Sequence, residues 1–111
     1  MVISSRDIDI NLLQTTKNRI WFKENVYKIW RFRKLFELRQ ETKEVGQKTR
    51  LEGKIRHLQN KINDLAAQGK LLGLKDEQIR NINQLIVERI KKGDRPETII
   101  QRFIPKKSQN N

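Results

Sequence analysis

From Met1 to Arg95 the chain contains no proline, and its apolar residues recur mostly at intervals of three and four. Proline interrupts a helix most firmly, because it lacks the amide donor and its ring collides with the preceding turn. A proline-free chain with helical spacing therefore predicts an all-α fold. The simplest arrangement that buries its stripes is a small helical bundle, with two longer helices joined near Gly46 and two short C-terminal helices packed against them. At 111 residues one domain is expected, covering residues 1–104 and followed by a flexible basic tail over 105–111.

The first long helix is expected from about Lys17 to Thr42. Its start is ambiguous: Ser4 or Ser5 can cap a helix, yet Asp7 to Leu12 alternates like a short strand. Gly46 and Gly53 are candidate breaks, and the first turn is placed near Gly46. In the second helix Leu51, Ile55, Leu58, Ile62 and Leu65 follow spacings of four, three, four and three, the seam of a short coiled coil. The stretch AAQGKLLGLKDEQ reads as a turn holding buried Leu71, Leu72 and Leu74 between Gly69, Gly73 and the next helix. That helix runs from Asp76 to Lys92 with Ile79, Ile82, Ile86 and Ile90 on one face, and Gly93 closes it. Asp94 is expected to cap the last helix, which carries Pro96 early and docks through Ile99, Ile100, Phe103 and Ile104 before Pro105 stops it.

The most unusual stretch is VYKIWRFRKLFELR, Val26 to Arg39, in which aromatics and cations interleave. On a helical wheel Phe22, Val26, Ile29, Trp30 and Phe36 share one arc, while Trp21, Phe32 and Leu35 fall on another side. One core needs only one of these zones. The second is read as a surface for a protein partner or for base stacking. Lys28, Arg31, Lys34 and Arg39 lie between the zones, and Arg33 projects into the larger one, in position to pair with Glu37. An ordinary bundle helix whose cations lie along apolar neighbours would look similar.

Charge sharpens the reading. The chain has 25 Lys and Arg against 13 Asp and Glu, a net charge of +12. Between Lys17 and Lys61 there are 14 cations against 5 glutamates, a surplus of nine within 45 residues. Arg50, Lys54, His57 and Lys61 recur at four, three and four, as a row beside the seam, and Lys43 joins them if the helix is unbroken at Gly46. Solvated faces usually alternate cations with acids to gain pairs one turn apart, and this row contains no acid. Such a surplus attracts polyanions.

Catalytic and metal chemistry find no support. His57 is the only histidine and there is no cysteine, which leaves no ligand set of the usual zinc type. Gly46-Gln47-Lys48-Thr49 lacks the glycines of a phosphate-binding P-loop. Asp7 with Asp9 and Glu41 with Glu44 have no second ligand cluster, and Ser4 and Ser5 lack an identifiable base. The chain is therefore expected not to be an enzyme and to need neither cofactor nor metal. With no cysteine, no basic leader before an apolar run and no stretch of about 18 apolar residues, an intracellular location is expected, cytoplasmic or nucleoid-associated.

These readings converge on a non-catalytic accessory subunit of a nucleoprotein complex. It would contact the phosphates of RNA or single-stranded DNA through Lys28, Arg31, Arg33, Lys34, Arg39, Lys43, Arg50, Lys54, His57 and Lys61, with little sequence specificity. Protein partners or self-assembly are expected alongside the nucleic acid. In size, charge and helical content the chain resembles the small helical subunits of CRISPR effector complexes and the basic bundle accessory proteins of diversity-generating retroelements. Two other classes remain open. One is an interaction module self-associating through the Leu51 to Leu65 seam; the other is a peripheral binder of anionic membranes, which the absence of one clean polar face disfavours.

Overall fold

The computed structural model describes residues 10–104, and over this range the chain is a small all-α bundle. A 3₁₀ turn at Ile10–Leu13 leads into α1 (Thr16–Glu41), α2 (Val45–Leu71), α3 (Asp76–Lys91) and α4 (Pro96–Phe103). The Ser4 and Ser5 caps, most of the strand-like Asp7 to Leu12 stretch and the basic tail lie outside the described residues; Ile10 to Leu12, within them, belongs to the 3₁₀ turn.

Local chemistry sets each helix end. Thr15 Oγ1 accepts from the Asn18 amide at 3.1 Å, satisfying one of the free donors at the start of α1. At the other end the Thr42 hydroxyl donates to the Leu38 carbonyl at 2.7 Å, and Thr42 itself turns extended. The break between the long helices therefore falls at residues 42–44. Gly46 sits inside the first turn of α2 and Gly53 in its interior; neither interrupts the helix. Alternative turn residues were available, and the hydroxyl of Thr42 competes for backbone where a glycine does not.

Helices α2 and α3 end alike. Gly73 has φ +101° and Gly93 φ +97°, the left-handed region that glycine enters without strain. Leu74 N donates back to Gly69 O and Asp94 N to Arg89 O, each at 3.0 Å, while the glycine amides reach Lys70 O and Ile90 O. Both are Schellman closures. In the first, the residue after the glycine is the buried Leu74, whereas Leu71 points outward and is 87% exposed, contrary to the expectation of a uniformly buried leucine turn. In the second, Asp94 does not cap α4. Its carboxylate is taken by Arg89 at 2.6 Å, and Arg95 occupies the cap position ahead of Pro96.

The core gathers at one end of the molecule. Trp21, Phe22, Val26 and Ile29 of α1 meet Leu65 of α2, Ile79, Ile82, Ile86 and Ile90 of α3, and Ile99 of α4. Phe22 meets Phe103 edge to face, with ring centres 6.0 Å apart. Between Ile29 and Leu58 no hydrophobic residue is buried. Trp30 and Lys34 still lie beside the α3–α4 turn, and beyond them the last two turns of α1 and the first three of α2 extend past the core as a two-helix arm, about 10 Å long on the α1 side at 1.5 Å per residue. The molecule is correspondingly elongated, 51 × 32 × 28 Å.

Candidate nucleic-acid interface

The two long helices run antiparallel. Arg39 pairs with Glu52 at 2.7 Å near the tip, Lys28 and Lys61 line one groove midway, and the Trp21 indole donates to Leu65 O at 2.6 Å near the core. In this register the Leu51, Ile55, Leu58, Ile62, Leu65 seam is half-buried to buried, and Ile62 and Leu65 join the common core. The seam is thus satisfied within the chain.

Helices α3 and α4 approach α1 from one side. There Trp30 and Lys34 share a cleft with Ile90, Gly93, Asp94 and Arg95, and the Tyr27 hydroxyl donates to Glu97 at 3.4 Å. On another side the groove between α1 and α2 is lined by Glu24, Lys28, Lys61, Asp64, Leu65 and Gln68, with no residue of α3 or α4. This is an open face. Lys61 belongs to it, so helical spacing carries the stripe of His57, Lys54 and Arg50 along the same flank toward the arm.

Arg50, Lys54, His57 and Lys61 are all exposed, and none pairs with a carboxylate among the described residues. Together they cover roughly 16 Å of helix. Lys43 does not extend the row, because it lies in the loop between the helices; it remains exposed at the tip. Arg31 is also exposed and without an ion pair among the described residues.

Other cations expected at the site are already engaged. Lys28 meets Glu24 at 3.2 Å, Arg39 meets Glu52, and Lys34 lies 3.9 Å from Glu37 and 5.8 Å from the centre of the Trp30 ring. Lys34, not Arg33, takes Glu37. Arg33 is half-buried, and its Nε is enclosed without a hydrogen-bond partner. A guanidinium so placed presents little to a phosphate lying on the surface.

The aromatic zone divides. Trp21 is 2% exposed, with its ring against Gly69 and Ile79 and its N–H spent on Leu65 O, so it has no free face for a base or a partner. Phe32 and Leu35 are half-buried, and Phe32 stacks on the exposed Phe36 with ring centres 6.4 Å apart. The two zones of the wheel do not each take one partner: Trp21 of the second meets Gly69 and Leu65 of α2 together with Ile79 of α3, while Phe36 of the first lines a groove with Ile55 and Gln59 of α2.

One feature of the open face was missed. Ile20, Leu71 and Leu72, with Lys17, Glu24 and Gln68, surround a recess of about 310 Å³ whose floor is Trp21. Ile20 and Leu71 are apolar yet 55% and 87% exposed. The available signal was Ile20 lying off both apolar arcs of its helix; Leu71 was hidden in an apparent turn. Among the described residues no cluster of three or more His, Cys, Asp or Glu side chains is placed to hold a metal ion, and no helix is long and apolar enough to cross a membrane. Compared with protein-family models, with curated proteins and with solved structures, the chain finds no match.

Proposed function

We propose that the protein is a non-catalytic nucleic-acid-binding accessory subunit that holds the phosphate backbone of RNA or single-stranded DNA along the open face of α1 and α2. The observation that carries this reading is the row Arg50, Lys54, His57, Lys61: exposed, evenly spaced and unpaired with any carboxylate among the described residues. Exposed cations in such a row displace condensed counterions from a polyanion, and the released ions drive association. The contribution of Lys28, Lys34 and Arg39 is smaller, because a phosphate must compete with their carboxylates. Lys43 and Arg31 extend the positive field toward the tip, and Arg33 is left outside the interface.

Affinity for unrelated RNA and single-stranded DNA, measured at two or more salt concentrations, tests the reading. A steep linear fall of log affinity with log salt is expected, with little dependence on sequence. Absence of binding at low salt would remove the proposal. Self-association through the Leu51 to Leu65 seam gains no support from a seam already filled by the chain's own packing.

A further inference from the structure

One member of the cation row carries its charge conditionally. Arg50, Lys54 and Lys61 are positive throughout the neutral range, whereas an imidazole such as that of His57 ordinarily gains its second proton only below about pH 6.5. His57 is the only histidine and there is no cysteine, so no other side chain of the chain ordinarily changes charge between about pH 5 and 8. Its surroundings are cationic. Lys54 stands three residues before it and Lys61 four after it on the same flank of α2, and the nearest acid on that flank, Asp64, is two turns away. The register that sets Arg39 beside Glu52 and Lys28 beside Lys61 puts His57 level with residues 32–35 of α1. The charged side chains of α1 on that face are Arg31, exposed and without an ion pair among the described residues, and Lys28, met by Glu24. Lys34 lies in the cleft on the α3–α4 side, and neither α3 nor α4 lines the groove of Lys28 and Lys61. A proton on His57 therefore adds a fourth positive charge to the row, with no carboxylate paired to it among the described residues.

Resting on the proposed function, we infer that His57 is a proton-dependent phosphate ligand, so that the open face takes up a proton as it binds nucleic acid and grips it more tightly as pH falls. Position makes the contact: at 1.5 Å per residue His57 lies about 4.5 Å along the helix from Lys54 and about 6 Å from Lys61, inside the row and not at its end. A phosphate backbone that touches both neighbours passes over it. The proton comes from solvent and turns the neutral ring into an imidazolium, whose N–H donates to a phosphate oxygen. The neutral ring can donate as well, but the charge-assisted bond is the stronger. An anion beside the ring favours its charged form, so the midpoint in the complex lies above that of the free chain. By linkage the added affinity is complete below the free midpoint and is lost as pH rises through the bound one.

The test uses the full chain and oligothymidylate without terminal phosphates, a probe with no titrating group of its own near neutral pH. Affinity is measured against salt at about pH 5.5 and about pH 8, on either side of an ordinary imidazole midpoint. The native protein is expected to bind about threefold to fivefold more tightly at the lower pH, the worth of one exposed ion contact. Its log-log salt slope is expected to be steeper there by about 0.7, the increment of one further single-strand phosphate. His57→Gln is expected to remove both differences, and His57→Lys to remove them by holding the affinity at its acid level. His57 is exposed, so both variants retain the fold, which circular dichroism checks at each pH. In proton NMR the imidazole midpoint of the native protein is expected to rise when the oligonucleotide is added. The same affinity and slope at both pH values overturn the inference and leave phosphate binding by the fixed cations standing. A pH difference that persists in His57→Gln, or a midpoint unmoved by saturating oligonucleotide, also overturns it. Failure to bind at low salt at either pH removes the phosphate-binding reading itself.

Discussion

The indole of Trp21 lies so close to Gly69 that a β-carbon at position 69 would sit 2.9 Å from Cζ2 of the ring and 3.0 Å from Cδ1 of Ile79. Gly69 is therefore where α2 lets α1 approach. Gly69→Ala gains helix propensity, about 1 kcal/mol, but forces a rigid ring to move in a packed core, which costs about 1–3 kcal/mol. Gly53, in the same helix, has open space around it. Urea denaturation is expected to show Gly53→Ala stabilising by about 0.5–1 kcal/mol and Gly69→Ala destabilising. Stabilisation by both would refute the close packing of α1 on α2.

The turn between α3 and α4 is held by Arg89 and Asp94, whose side chains are each 19% exposed and 2.6 Å apart. Asp94→Ala leaves the guanidinium without that partner in a partly buried place, and is expected to cost about 1–2 kcal/mol. Glu37→Gln removes the exposed, longer contact to Lys34 and is expected to change stability by less than about 0.5 kcal/mol. Thermal melts of the two variants separate these cases.

Tyr27 links α1 to α4 through Glu97. Loss of water around the phenol, then the negative charge of Glu97 and the hydrogen bond donated to it, raises the Tyr27 pKa above its ordinary value. The folded chain holds this proton more tightly than the unfolded chain does, so the contribution to stability is intact below the unfolded value, about 10, and is lost as pH climbs through the folded one. Titration of phenolate absorbance is expected to give a lower midpoint for Glu97→Gln than for the native protein. An unmoved midpoint would break the link between these two residues.

Changing Arg50, Lys54 and Lys61 together to glutamine removes three exposed cations and no observed contact. Folding is expected to be unaffected. If each contacts one phosphate, the log-log salt slope for single-stranded oligonucleotide binding falls in magnitude by about two. Native affinity and slope in this variant would clear the row of the role.

The fold was legible wherever burial imposed a period. Ile79, Ile82, Ile86 and Ile90 mark the α3 face because each must enter one core, and Gly93 marks its end because only glycine takes that backbone angle cheaply. Asp94 misled because a cap and an ion pair ask for the same side chain, and the nearby Arg89 is visible only once the turn is folded. The cation row could be read from spacing alone. Its neighbours could not: whether Lys28, Lys34 or Arg39 is free depends on carboxylates, one of them on another helix. Trp21 suited a surface role by wheel position, and only the glycine opposite it, forty-eight residues along the chain, shows that it belongs inside.

The two-helix arm has a mechanical consequence. With no hydrophobic residue buried between Ile29 and Leu58, protection of backbone amides from deuterium uptake should decline from the core toward the loop at residues 42–44, with the Arg39 to Glu52 contact as a late clasp. The cation row spans this gradient, with Lys61 beside the rigid end and Arg50 out on the compliant one. A polyanion lying along it would splint the arm, damping its motion most where the protein itself supplies the least restraint.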